Sequence, residues 1–267
     1  MSSDEVPELA GYSPAVTRQV VERVGPLLRK WFRAEMHGLD AFPATGSALV
    51  VSNHSGGMLT PDVLLFGSAF YRRFGYDERP LYTLAHYGVV MGPLGDLMPK
   101  VGVIEASREN AAAALASGGV VLVFPGGDYD SYRPTTADKV IDFNGRTGYV
   151  RTAIAAGVPI VPAVSIGGQE SQLFLTRGNG LAKLLGLTKA RMEILPITFG
   201  FPFGFSVLMP PNLPLPTKIV TRVLEPIDVV DRFGPDPDVD EVDAHVRHVM
   251  QVALHELSRK RRFPVLG

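Results

Sequence analysis

The chain has 267 residues, 46% of them hydrophobic and 20% charged, which is long enough to bury a large core and too apolar for intrinsic disorder. Lysine and arginine number 26 against 27 aspartates and glutamates, a balance that argues against a dedicated nucleic-acid binder. Cysteine is absent, which removes disulfides, thiolate metal sites and cysteine nucleophiles, and a mean hydropathy of +0.14 hints at apolar surface and so at a membrane or a lipid.

The N-terminal MSSDEVPELAGYSP is acidic and has neither the basic nor the apolar region of a secretory signal, so a cytoplasmic start is expected. From Pro14 to His37, Val16, Val20, Val24, Leu27, Leu28, Trp31 and Phe32 recur at spacings of three and four among Arg18, Arg23, Arg29, Lys30 and Arg33. That pattern predicts an amphipathic, basic helix whose apolar stripe packs on the core, with a membrane-surface helix as the other reading. Ser47 to Ser52 reads as a buried strand running into the polar turn Asn53-His54-Ser55-Gly56-Gly57. Thr60 as N-cap and Pro61 at the first helical position then open a helix.

Further strands are expected at Leu81 to Ala85, Val120 to Phe124, Ile160 to Val164 and Met192 to Thr198, with helices at Arg108 to Ala116, Gly148 to Ala156 and Gln169 to Leu185. The C-terminal stripe Val239, Val242, Val246, Val249, Met250, Ala253, Leu254, Leu257 is strongly helical and ends in Lys260-Arg261-Arg262. Alternating strands and helices predict a single α/β domain, a mostly parallel or mixed central sheet covered by helices on both faces. Residues 1–40 form an amphipathic helical segment ahead of a domain at 41–267. The longest apolar stretches, Ala153 to Gly168 and Ile194 to Pro211, are punctuated by glycine and proline, so neither reads as a spanning helix.

Two turns carry candidate chemistry. His54, just past a strand end, lies at the sheet edge where α/β proteins place ligands, and Asp62 falls in the first turn of the next helix. If the carboxylate returns to the imidazole, the pair is a general base with its orienting acid; the plainer reading is a loop histidine and a helix-start aspartate. Phe124-Pro125-Gly126-Gly127 again runs from a strand into a glycine turn, which either presents backbone amides to an oxyanion or is an ordinary tight turn. Ala163-Val-Ser165-Ile-Gly167 approaches a nucleophile elbow with one position wrong, and keeps a serine lipid esterase or thioesterase in view. His245, His248 and His255 lie too far apart along one helix to form a three-histidine metal site, and no metal is expected.

Taken in order, Asn53-His54-x7-Asp62, Gly102-Val-Ile-Glu-Ala-Ser-Arg108, Phe124-Pro-Gly-Gly127 and Val158-Pro-Ile-Val-Pro162 resemble the four motif blocks of the glycerolipid (PlsC-like) acyltransferases. The Phe-Pro-Gly-Gly block, with Ser107-Arg-Glu-Asn110 and Phe143-Asn-Gly-Arg146-Thr-Gly148 beside it, is similar to the monoacylglycerol/diacylglycerol acyltransferase-like branch. The resemblance implies a glycerol-3-phosphate acyltransferase-like fold and O-acyl transfer from acyl-CoA or acyl-carrier protein to a glycerolipid or lysophospholipid hydroxyl. His54 would be the base and Asp62 its partner. Arg108 and Arg146 would contact the substrate, with Phe124, Pro125, Gly126 and Gly127 lining its pocket.

The family's first block has four residues between His and Asp, whereas here seven intervene, so the pairing requires Ser55 to Leu59 to fold back. Phosphate-acceptor members carry Glu and Arg where this chain has Gly126 and Tyr129, which leans toward a neutral acceptor, although Arg133, Arg146 and Arg151 could supply a phosphate site elsewhere. The resemblance further implies acyl-CoA as co-substrate without another cofactor, and peripheral association with the inner face of the membrane. A catalytically inactive lipid-binding protein on the same fold is the remaining alternative.

Overall fold

The computed structural model of the chain describes residues 9, 11–187, 193–207, 210–263 and 265. In chain order the strands are β1 (Glu35–His37), β2 (Ala48–Ser52), β3 (Leu81–Ala85), β4 (Val103–Glu105), β5 (Val120–Val123), β6 (Ile160–Ile166), β7 (Leu173–Thr176), β8 (Ile197–Gly200), β9 (Gly204–Ser206) and β10 (Val220–Val223). The helices are α1 (Pro14–Trp31), α2 (Pro61–Phe74), α3 (Tyr87–Val90), α4 (Arg108–Ala116), α5 (Gly127–Ser131), α6 (Gly148–Ala156), α7 (Asn179–Leu184), α8 (Val229–Phe233) and α9 (Val239–Lys260).

Seven strands form the central sheet in the order β1-β10-β6-β2-β5-β3-β4, with every neighbouring pair parallel except β10 with β6. The expected mixed α/β sheet is therefore present. Every residue of β2 is buried because the strand is covered on both sides. Its alternation divides the core: Leu49 and Val51 meet Val150 of α6 and Val246, Met250 and Leu254 of α9, while Ala48 and Val50 meet Phe66, Phe70 and Tyr71 of α2.

Predicted and observed bounds coincide for β3, α4 and α6, and differ by one or two residues for β2, β5 and β6. The expected helix from Gln169 to Leu185 is replaced by a short 3₁₀ turn at 168–170, strand β7 and the six-residue α7. Gly178 explains the break: its φ is +67°, and a Cβ there would sit 1.9 Å from the Leu195 carbonyl oxygen. The strand expected from Met192 begins at Ile197, and Met192 itself lies outside the described residues. Strands β7, β8 and β9 make a separate antiparallel sheet that the sequence reading did not anticipate.

The stripe on α1 is only partly turned inward. Thr17, Gly25 and Phe32 are buried, whereas Val24, Leu27 and Trp31 are exposed. The reason is close helix packing, since a Cβ on Gly25 would lie 2.3 Å from Ser68 Oγ of α2. Small residues occupy the α1–α2 contact and the large ones rotate outward. Among the described residues no helix is long and apolar enough to cross a membrane.

Candidate active site

Three parallel strands at the middle of the sheet, β6, β2 and β5, bring their following turns to one edge. Val51 is in register with Val123, so the residues after β2 and after β5 are neighbours. The His54 and Phe124 rings pack at 4.3 Å between centroids, tilted by 33°. On the other side Asn53 prolongs the β2–β6 ladder with its side chain, donating from Nδ2 to Ser165 O and accepting from Ser165 N–H, each at 2.8 Å.

The chain then folds back through Gly56 (φ +94°), Gly57 (φ +69°) and Thr60 (φ +33°), with a 3₁₀ turn at Gly57–Leu59 between them. Thr60 occupies the N-cap position of α2, but its side chain makes no capping bond; Val63 N–H is met instead by Thr60 O and by Asp62 Oδ1. This reversal carries Asp62 to His54. Asp62 Oδ2 lies 3.0 Å from His54 Nδ1 and also accepts Ser55 N–H at 2.9 Å, and the carboxylate is only 3% exposed. With Nδ1 directed at a carboxylate, the neutral ring carries its proton there and keeps Nε2 as the acceptor. The His54 side chain is 13% exposed.

Residues to which the sequence reading gave no role hold this arrangement. Asp130, on α5, is fully buried and accepts the His54 backbone N–H at 2.6 Å while pairing with Arg133. Gln169 accepts Gly56 N–H at 3.2 Å and donates to the carbonyls of Ser131 and Arg133. Behind it, Glu170 forms a two-pronged buried ion pair with Arg261 at 2.6 and 2.5 Å. Burial raises the Glu170 carboxyl above its usual range and the Arg261 guanidinium offsets part of that rise. Opposite charges three apart after the Gly-Gly turn were a visible signal for Asp130 and Arg133; Gln169 had none.

The Phe124–Gly127 turn is stapled from outside. Arg146 donates to Gly126 O at 2.9 Å and Pro125 O at 3.3 Å, with Asp128 Oδ1 at 3.5 Å. Gly127 N–H is taken by Phe124 O at 2.9 Å, which removes that amide as an oxyanion donor. Arg133 is buried and committed to Asp130 and Val140 O, so it offers no phosphate site, and Arg151 is exposed on α6. Arg108 opens α4 at the same sheet edge and follows β4, three strands from β2. Ser165 sits inside β6, buried, its Oγ accepting from Thr221 Oγ1 at 3.2 Å. It is no exposed elbow nucleophile, and the hydrolase reading falls with it.

Clefts of about 730 and 250 Å³ lie respectively between β10 and α9 and between α1 and α2, away from His54. Among the described residues no group of histidines and acids could hold a metal ion.

A family model described as Acyltransferase matches residues 33–166, which span β1 to β6 and include the His54–Asp62 pair, the Phe124–Gly127 turn and Arg146. The chain belongs to the acyltransferase family. That membership bears out the resemblance carried by the motif blocks, and the protein is an acyltransferase. An uncharacterized protein of Mycobacterium tuberculosis is 34% identical over 94% of this chain and 69% of its own length. A bovine protein named as a DGAT1/2-independent enzyme synthesizing storage lipids is 27% identical over 73% of this chain and 56% of its own length. The fold is shared with the 1-acyl-sn-glycerophosphate (LPA) acyltransferase PlsC of Thermotoga maritima, at a TM-score of 0.51 and 18% identity, covering 91% of this chain and 84% of that one.

Proposed function

We propose that this acyltransferase moves a fatty acyl group from acyl-CoA or acyl-carrier protein to a hydroxyl of an uncharged glycerolipid at the inner face of the membrane. The observation that carries the reading is the 3.0 Å contact between His54 Nδ1 and Asp62 at the open edge of the sheet. His54 Nε2 takes the acceptor hydroxyl proton as the oxygen attacks the thioester carbonyl, and the imidazolium is held by Asp62. Collapse of the tetrahedral intermediate breaks the C–S bond; the departing sulfur receives the proton from Nε2, leaving an ester and a free thiol. No acyl-enzyme is required.

The uncharged acceptor is supported by the side chains around the turn. Gly126 and Tyr129 stand where phosphate-acceptor members carry Glu and Arg, Arg133 is buried, and Arg146 is engaged with backbone carbonyls. The storage-lipid relatives point the same way. The test is to incubate labelled acyl-CoA with monoacylglycerol, diacylglycerol and lysophospholipids, comparing wild type with His54→Ala. Loss of general-base assistance lowers turnover by roughly 10²–10⁴. A folded His54→Ala protein with near wild-type turnover would end the mechanism, and a preference for lysophosphatidate would end the neutral acceptor.

A further inference from the structure

The β7–β8–β9 sheet is apolar on its outer face, while its inner row mixes the buried Phe174 with polar residues. In an antiparallel sheet with one face in water the polar residues normally face out. Here Thr198 is buried and meets Ser206 at 3.0 Å on the inner side, where Gln172 and Asn212 are also buried and bonded to each other at 2.8 Å. On the outer side the register places Leu173, Phe199 and Phe205 in one cross-strand row, all exposed, with Phe201 and Phe203 exposed in the connecting turn. Such a contiguous apolar face marks an interaction surface.

The face continues onto α1. Phe201 bridges to Leu213, whose N–H donates to Phe201 O at 2.7 Å, and Trp31 Nε1 donates to Pro214 O at 3.0 Å. Leu213 and Leu215 are exposed, as are Val24, Leu27 and Trp31 on the outward side of the helix. Charge then identifies the occupant. Among the described residues, 14–33 and 171–215 together hold seven basic residues and two acidic ones, although the chain as a whole has a net charge of -1; of the seven, Arg18 pairs with Asp77 and Arg177 donates to Tyr129 O. Arg29 and Lys30 adjoin Trp31, and Lys183 adjoins the exposed Leu184 and Leu185. Apolar area rimmed by cations is the chemistry of an anionic lipid surface. The tail Lys260-Arg261-Arg262 is not part of it through Arg261, which is buried against Glu170.

We infer that this joined face, the outer side of the β7–β8–β9 sheet with the Val24–Leu27–Trp31 stripe, is the surface by which the protein docks on a bilayer containing anionic lipid. It rests on the glycerolipid reading only in naming where the acceptor resides. It also couples to the site: a Cβ on Gly57 would lie 2.6 Å from Gln172 and 3.1 Å from Phe174, so the His54 reversal packs on the back of the docking sheet.

Trp31 is the sole tryptophan and serves as the reporter. Wild-type protein is mixed with phosphatidylcholine vesicles containing about one-third phosphatidylglycerol, and with pure phosphatidylcholine vesicles, at low and high salt. Flotation with the anionic vesicles, a blue shift of Trp31 emission, and weakening by salt are expected. The Phe199→Ser, Phe205→Ser double variant and, separately, Leu27→Gln should bind at least about tenfold more weakly while keeping the wild-type circular dichroism. Wild type remaining in the soluble fraction, or folded variants floating as well as wild type, overturns the proposal. So does a stable dimer in solution that the double variant dissociates, since the face is then an interface between copies. Transfer to a short-chain acceptor dissolved as monomer separates the two readings. Wild type that floats but never transfers leaves the docking face standing and removes the function, whereas transfer without flotation does the reverse.

Discussion

Asp62 accepts three N–H groups, from the His54 ring, the Ser55 backbone and the Val63 backbone, and it is almost fully buried. All three need an acceptor, so an amide in its place turns an NH₂ toward at least one donor. Asp62→Asn therefore disfavours the Nδ1-protonated ring and withdraws the charge that stabilises the imidazolium. We expect kcat to fall by roughly 10²–10⁴ with a much smaller change in KM. Steady-state kinetics on the folded variant decide it; a change confined to KM makes Asp62 a helix-start residue. The residues His54 and Asp62 were both legible from their place after a strand and at a helix start. Their contact was not, because it depends on two glycines and Thr60 adopting positive φ, and a threonine there is not announced by its type.

Turns and helices act on the site through space rather than through sequence neighbours. Gly126 has an ordinary helical φ of -66°, so what it supplies is room: a Cβ there would lie 2.4 Å from Asp130 Cβ. Gly126→Ala should push α5 away and loosen the Asp130 acceptor from the His54 backbone N–H. Overpacking of this kind costs about 1–3 kcal/mol, and a fall in thermal midpoint accompanied by reduced kcat is the expected result. Unchanged kcat in a variant with a lowered midpoint would show that Asp130 does not position His54. In sequence the glycine pair reads either as an anion-binding turn or as an ordinary tight one; in the fold the Gly127 amide is spent on Phe124 O, and Arg146 takes the carbonyls of Pro125 and Gly126. Composition reports that backbone is accessible there, not which partner reaches it first. The same limit applies to α1, where the period of the stripe was right and its burial was decided by the Gly25–Ser68 approach.

Across the molecule, the end of α9 is tied to the turn beside the site by Arg261 and Glu170, which are 8% and 5% exposed. Removing one member of such a pair strands the other charge, so Arg261→Ala should cost about 3 kcal/mol at neutral pH. The pH dependence has a definite sign. Burial already raises the Glu170 carboxyl above its unfolded value of 4.5, and losing Arg261 raises it further. A raised folded value means the protonated form is favoured in the fold, so that contribution is complete below about pH 4.5 and is lost as pH rises through the folded value. The deficit of Arg261→Ala should therefore be largest near neutrality and shrink toward pH 4.5 in denaturant titrations. A deficit that stays flat over that range would mean that Glu170 is not the group left unpaired.

Local physics settled most of the main sheet before any contact was known. Short aliphatic runs located β2, β3, β5 and β6, and α4 stands at the expected Arg108–Ala116, where the folded chain adds Ser107 as its side-chain cap. Motif order was enough for the family. Those four strands could be foreseen because each is hydrophobic whichever neighbour it pairs with; β4 and β10 were not, and the polar β1 (Glu35–His37) pairs with β10 where the sequence pattern predicts the end of a helix. What required the folded chain were relations between distant segments: Asn53 with Ser165, Asp130 with His54, Gln169 with Gly56, Glu170 with Arg261. A buried polar group must find a partner, but its own position in the sequence does not say which one. The small sheet was hidden for a related reason. Apart from Phe174, its large apolar residues Leu173, Leu175, Phe199 and Phe205 are exposed, so a pattern that normally reports burial reports there a surface whose partner is not the protein's own core.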